Sequence, residues 1–237
     1  MSRRDEIAAG LADVERRIVS ACEGAHRSRD EITLVVVTKT YPASDVELLA
    51  ALGVTDVGEN RHPEAELKLE EYRAMYGDSA VPVPRWHFLG GLQTNKAGAV
   101  AQYADVVHSV DRIKLVSALA RGAEAAGREL LCLVQVDFGD AAGRSGVAPS
   151  GIPDVAHSIA SSAGLTLGGL MTVAPLGEDP TPHFEHLLRL SAELRADHPE
   201  AAIVSAGMSA DFEQAIAAGA THLRVGRSVL GERAFTR

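Results

Sequence analysis

The stretch Ile32-Thr-Leu-Val-Val-Val-Thr-Lys39 decides the fold. Its β-branched and aliphatic residues fill consecutive positions, so neither face of the strand they form is left for water. That is the signature of a buried parallel strand rather than a half-solvated antiparallel one. Upstream, residues 3–25 place Ile7, Leu11, Val14, Ile18 and Cys22 at spacings of three and four, one apolar stripe on a helix with charges on its other face. Downstream the alternation repeats. Strand-like runs are expected at 55–58, 86–90, 105–110, 130–138, 165–172, 202–206 and 222–226. Ala-, Leu- and Glu-rich helical stretches lie between them, at 43–52, 64–75, 94–102, 112–126, 154–163, 182–197 and 211–218. Eight strand–helix units in about 200 residues predict a single (β/α)8 TIM-type barrel with an extra N-terminal helix. An open doubly wound sheet is the competing arrangement. The low aromatic content, 4%, suits a barrel interior filled by branched aliphatics. No linker divides the chain, so residues 1–237 read as one domain, with the helix in 1–25 and the barrel in 32–237.

Composition narrows the class. The balance of 23 Lys+Arg against 32 Asp+Glu gives a net charge of −9, and the basic residues are scattered among acids, so no nucleic-acid stripe is expected. No apolar run approaches the roughly 18–20 residues of a membrane span, and the acidic N-terminus is unlike a signal peptide. Two cysteines, Cys22 and Cys132, make neither a disulfide framework nor a metal motif and read as small core residues of a cytoplasmic protein. His183 and His186, three apart, lack a carboxylate ligand pattern and read as a solvated pair; no metal site is expected.

In a barrel, chemistry belongs at the C-terminal ends of the strands. Behind the first strand stands Lys39. An apolar wall lowers an ammonium pKa and frees the amine to act as a nucleophile or Schiff-base former; the alternative is a lysine that marks the strand's exit into water. After the second strand come Glu59 and Asn60, which either orient a bound group or cap the next helix. The third strand runs into Trp86-His-Phe-Leu-Gly-Gly-Leu-Gln-Thr-Asn-Lys96, dense in amide and ammonium groups. Ser205-Ala-Gly-Met-Ser209-Ala-Asp211 and Arg224-Val-Gly-Arg-Ser228 each read as strand, glycine turn and helix start, with Ser209 at or near the N-cap. Two adjacent helix starts offer free N–H donors to a phosphate, although Asp211 would repel one unless it points away. A lysine facing a phosphate cup fits either a class I aldolase of sugar phosphates or a pyridoxal phosphate (PLP) site.

Val37-Thr-Lys39-Thr, Gly58-Glu-Asn60, Trp86-His-Phe-Leu-Gly90, His108-Ser-Val-Asp-Arg112, Gly169-Leu-Met-Thr172, Ser205-x-Gly-Met-Ser209-x-Asp211 and Arg224-Val-Gly226 occur in order over nearly the whole chain. Together they resemble the pyridoxal phosphate homeostasis protein family, itself related to the N-terminal barrel of alanine racemases. The resemblance implies PLP held as a Schiff base on Lys39. It implies a phosphate held by Ser209, Gly226 and the backbone of Arg227, with Met208 alongside, and a pyridine nitrogen facing Arg224. It also places Asn60 near the ring and puts His87 in the cofactor-binding set. Departures from the family pattern are Arg227 in place of a common Thr, Gly91 in place of a common His, the run Arg61-His62-Pro63, and Arg144-Ser-Gly146 for Lys-Ser-Gly.

An Arg donates only, so a ring nitrogen facing it stays unprotonated and the cofactor is a weaker electron sink. A two-base racemase also needs a second acid/base, typically a Tyr from a further domain, for which this reading leaves no residues; of Tyr41, Tyr72, Tyr76 and Tyr103, only Tyr41 is expected near the mouth. The expectation is a cytoplasmic carrier, monomeric or weakly dimeric, that buffers PLP or delivers it to PLP-dependent apo-enzymes, with a racemase of low activity as the alternative.

Overall fold

The computed structural model describes residues 1–77, 82–139, 145–175 and 177–231. Among them, eight parallel strands close into one barrel in sequence order. The strands are β1 (Thr33–Val37), β2 (Asp56–Glu59), β3 (Arg85–Phe88), β4 (Val106–Val110), β5 (Leu130–Val136), β6 (Leu165–Thr172), β7 (Ile203–Ser205) and β8 (His222–Val225). The helices are α1 (Arg3–Gly24), α2 (Ala43–Ala51), α3 (Glu64–Tyr76), α4 (Thr94–Tyr103), α5 (Ile113–Ala125), α6 (Ile152–Ala160), α7 (Thr181–Asp197), α8 (Phe212–Ala218) and α9 (Arg227–Leu230). The barrel expectation holds, and the open sheet is excluded by the β1–β8 pairing that closes the ring: Val35 sits opposite Arg224 and Val36 opposite Val225.

Helix α1 begins with a capping box in which the Ser2 side chain and the Asp5 side chain exchange bonds with each other's backbone N–H. Its buried stripe is Ile7, Val14, Ile18 and Cys22, and it lies against α8 and α9, the last part of the barrel wall. The large apolar cluster sits between the strands and this ring of helices, and Trp86, Cys22 and Cys132 belong to it. Burial pushes the Cys132 thiol up to about 12, which removes it from thiolate chemistry. Among the described residues no helix is long and apolar enough to cross a membrane, and no group of ligating side chains is placed to hold a metal. His183 and His186 flank the Phe138 ring at 5.9 and 4.8 Å, beside an open groove of about 510 Å³.

The barrel interior departs from expectation. Instead of branched aliphatics alone it holds His87, His108, Ser205 and Arg224, all at most 5% exposed. Buried polar groups are tolerated when each finds a partner, and here they find one another.

Candidate functional site

At the end of β1, Thr38 is fully buried and triply fixed. Its N–H donates to the Gly58 carbonyl at 2.9 Å, and its hydroxyl donates to Glu59 Oε1 at 2.7 Å. Its carbonyl accepts from Lys68 Nζ at 2.7 Å. Lys68, from α3, also pairs with the same Glu59 oxygen. The turn Thr38–Tyr41, closed by the Tyr41 N–H to the Thr38 carbonyl at 3.0 Å, puts Thr40 at φ 70°, a left-handed conformation that a β-branched residue adopts only under constraint. Lys39 lies inside this turn, half-buried at the mouth. Glu59 therefore neither caps a helix nor faces the mouth: it anchors the turn that carries Lys39. Lys68 was not foreseen, because a Lys among the glutamates of a helix reads as part of a solvated face.

Asn60 follows directly on β2. Its carbonyl lies where the Cβ of any larger residue at Gly90 would stand, 2.0 Å away, so glycine is what lets the β3 exit pass so close. Gly90→Ala is expected to force the two segments apart and lower stability by about 1–3 kcal/mol, read as a fall in the urea midpoint at unchanged slope. The Arg61-His62-Pro63 departure turns away from the mouth: His62 stacks on Tyr103 of α4, ring centroids 6.1 Å apart. At Gly91, a Cβ would meet Ser145 Oγ at 2.8 Å; Arg144 lies outside the described residues.

Beyond β7, Gly207 takes φ 89°, open to glycine at no steric cost, and starts a turn that reaches to Asp211. The Asp211 carboxylate accepts the Met208 N–H at 2.6 Å, while the Met208 carbonyl accepts the N–H groups of Asp211 and Phe212. Asp211 stands at the N-cap position of α8, though its side chain makes no capping bond; Ser209 lies near the cap, two residues before it in the turn. The Asp211 carboxylate is spent on the Met208 N–H, which ties the turn before the helix back on itself. Beyond β8, Gly226 passes the β1 end so closely that a Cβ would lie 3.0 Å from the Val37 carbonyl, and α9 starts at Arg227. Helices α8 and α9 have only seven and four residues, so what they bring is N–H donors at their first turns more than a macrodipole. The Arg227 side chain is exposed.

Arg224 supplies the sharpest electrostatics. It is 5% exposed; Nη1 donates to Ser205 Oγ at 2.7 Å and Nη2 to the Thr172 carbonyl at 2.8 Å. Two of its five donors are spent, both on neutral acceptors, and the rest have no acceptor among the described residues. Burial lowers its pKa to about 10, so the guanidinium remains charged at neutral pH. From Ser205 the contacts continue inward: Ser205 Oγ to His108 Nδ1 at 3.0 Å, His108 Nε2 to His87 Nδ1 at 2.8 Å, and His87 Nε2 to Asp56 Oδ1 at 2.8 Å. His87 is therefore inside the barrel with both ring nitrogens occupied. Burial holds both imidazoles below their ordinary pKa, against the pull of Asp56 on His87. Burial works to raise Asp56, but the hydrogen bonds from His87 and Thr55 outweigh it and keep the carboxylate low.

The tyrosines are engaged elsewhere. Tyr41 donates its hydroxyl to the Gly231 carbonyl at 2.7 Å, and Tyr72 and Tyr103 are buried in the outer cluster, their phenols pushed up by desolvation. Tyr76 tilts against Tyr72 with ring centroids 5.6 Å apart.

A parallel barrel with a lysine behind β1 and a buried arginine on β8 defines the class. Residues 14–234 match the family model of the alanine racemase N-terminal domain, and the chain belongs to that family. Within it, the chain is a member of the pyridoxal phosphate homeostasis proteins. It is 38% identical to the protein of that name from Mycobacterium tuberculosis (strain H37Rv), over 98% of this chain and 94% of that one. To its namesake from Escherichia coli (strain K12) it is 32% identical, over 98% and 99%. The solved structure of PipY from Synechococcus elongatus PCC7942, with PLP bound, superposes with a TM-score of 0.80 at 31% identity, covering 95% of this chain and all of that one.

Proposed function

We propose that this chain binds pyridoxal 5′-phosphate at the barrel mouth and serves intracellular PLP homeostasis, buffering the cofactor or delivering it to PLP-dependent apo-enzymes. The observation that carries the reading is Arg224, a buried cation one strand away from Lys39. Among the described residues its hydrogen bonds go only to the neutral Ser205 hydroxyl and Thr172 carbonyl, with the Asp211 charge near enough to be felt but not hydrogen-bonded to it. Such a group is left incomplete unless a ligand brings an acceptor. A pyridine nitrogen supplies one, and the donor-only guanidinium keeps that nitrogen unprotonated.

The residues present fit the cofactor. Lys39 is the attachment point, its Nζ condensing with the cofactor's aldehyde with loss of water. Ser209 and the N–H groups of Gly226 and Arg227 hold the phosphate, the close passage of Gly226 leaving no Cβ in the way. Met208 packs alongside but keeps its own N–H on Asp211, and Asn60 faces the ring. His87 acts from behind Arg224 rather than by touching the ligand. The weak electron sink and the engaged tyrosines support a carrier over a racemase. The chain works as one barrel domain in the cytoplasm, monomeric or weakly dimeric.

Mixing apo-protein with PLP is expected to produce a visible absorption band, and borohydride to fix the adduct on Lys39, located by peptide mass spectrometry. Lys39→Ala is expected to abolish both signals while leaving the fold intact. Fixation on a different lysine, or a protein that stays colourless, overturns the reading.

A further inference from the structure

We propose that Asp56, His87, His108 and Ser205 form a one-way hydrogen-bond relay through the barrel interior that positions Arg224 for the ligand's ring nitrogen. This rests on the PLP reading for the identity of the ligand, but the relay itself is a property of the protein alone.

The direction of every bond follows from its end points. A carboxylate only accepts, so Asp56 Oδ1 fixes the proton of His87 on Nε2. A neutral imidazole has one donor, so His87 Nδ1 must accept, and its partner His108 Nε2 must carry the proton. His108 Nδ1 then accepts from the Ser205 hydroxyl. That hydroxyl, having spent its only proton, presents a lone pair to Arg224 Nη1. One carboxylate at the start of β2 thus sets the polarity of four successive bonds that end on the arginine at the mouth. Hydrogen bonds in such a chain polarise one another in a dry interior.

The surroundings favour this one arrangement. Both imidazoles are held neutral by burial, and the charged or titratable groups that bear on them are Asp56, Asp105, Arg85, His222 and Arg224. Arg85 stands 3.9 Å from Asp56 Oδ1 but is half exposed, so it does not replace His87 as the partner of that oxygen. Protonating His108 would make both its nitrogens donors. The Ser205 oxygen would then accept from both His108 and Arg224 with its two lone pairs, and its own proton would lose its acceptor. The bond behind the arginine would reverse, and the two cations would face each other across one hydroxyl. Asp56, His87 and His108 are accordingly positioning residues, acting on the ligand only through Ser205 and Arg224.

Imidazole 15N–1H correlation spectra of the full-length apo-protein at neutral pH test the relay directly. His87 and His108 are both expected as the Nε2–H tautomer, and the Arg224 guanidinium is expected to show resolved, exchange-protected Nη1 protons. Asp56→Asn keeps the volume but replaces the acceptor-only group by one able to donate. It is expected to give mixed tautomers at both histidines and to average the Arg224 signals. In PLP-loaded protein, Asp56→Asn and Ser205→Ala are expected to speed PLP release by about tenfold while borohydride still fixes the cofactor on Lys39. An Nδ1–H tautomer at either histidine of the unsubstituted protein overturns the relay, as does Asp56→Asn leaving tautomers and Arg224 signals unchanged. A release rate within twofold of the parent in both variants, with the tautomers mixed, overturns the positioning role. Failure of PLP to bind the unsubstituted protein refutes the ligand assignment instead, and the apo-protein spectra still decide the relay.

Discussion

Replacing Lys68 by methionine is expected to lower the unfolding free energy by about 3–5 kcal/mol, the usual result of removing one partner from a buried ion pair. Glu59 is nearly inaccessible, with 4% of its side chain exposed, and Lys68 pairs directly with its carboxylate. Methionine preserves the stem and its packing, so the loss reports the charge and not a cavity. The same ammonium also holds the Thr38 carbonyl, and Thr38 with Glu59 holds the turn that carries Lys39. The variant should therefore show two defects together. The melting temperature should drop by about 10 °C, at 2–4 °C per kcal/mol for a chain of this size, and capture of PLP on Lys39 should slow. Glu59→Gln provides the comparison: the amide oxygen still accepts from Thr38, and no buried charge is orphaned on that carbon chain. A Lys68→Met protein as stable as the parent would mean that Glu59 finds its partner elsewhere.

The barrel itself was readable because its signal is local. β6 occupies residues 165–172, matching the sequence boundaries, since eight residues that pack on both faces leave no ambiguity about where the strand begins or ends. Lys39, Asn60 and Arg224 were also visible, each standing in or just beyond a strand. What escaped was what the barrel brings together across distance. Asp56, His87, His108 and Ser205 come from four strands spread over about 150 positions, and nothing in any one segment pairs them. A trace of the relay existed nonetheless: a carboxylate, two imidazoles and a hydroxyl interrupt strands otherwise apolar enough to be buried, and a buried polar group requires a partner. The exact start of α8 was not legible for a different reason, since Ser209 and Asp211 are both residue types that favour the N-cap and only the three-dimensional turn selects between them.

Acid should destabilise this protein in a window set by histidines rather than carboxylates. His222, at the start of β8 and paired with Thr33 and Ser205 across the barrel seam, is lowered by burial to about 4. In the unfolded chain it titrates near about 6.5. Between those values the unfolded state binds the proton and the folded state does not, so stability falls as pH falls, by about 1.4 kcal/mol per unit for each such group. His222 alone withdraws on the order of 3 kcal/mol across the window. His87 and His108, both lowered by the same burial, steepen the decline. Asp56, held below its ordinary value, acts in the same direction but only at lower pH, once a carboxylate begins to protonate. Urea unfolding at about pH 7.5 and about pH 4.5 should show the midpoint falling at nearly constant slope, and His222→Gln should remove one proton from the linkage. Protonation has a local meaning as well. The Thr221 hydroxyl lies 3.0 Å from His222 Nδ1 and can donate only while that nitrogen is bare. An imidazolium at His87 or His108 would likewise reverse the bonds behind Arg224. Because the folded imidazoles take up protons only below their lowered values, the release of PLP should accelerate at a lower pH than the one at which the urea midpoint begins to fall. A midpoint that stays flat from about pH 7.5 to about pH 4.5 would show that the interior histidines take up their protons at the same pH in the folded barrel as in the unfolded chain.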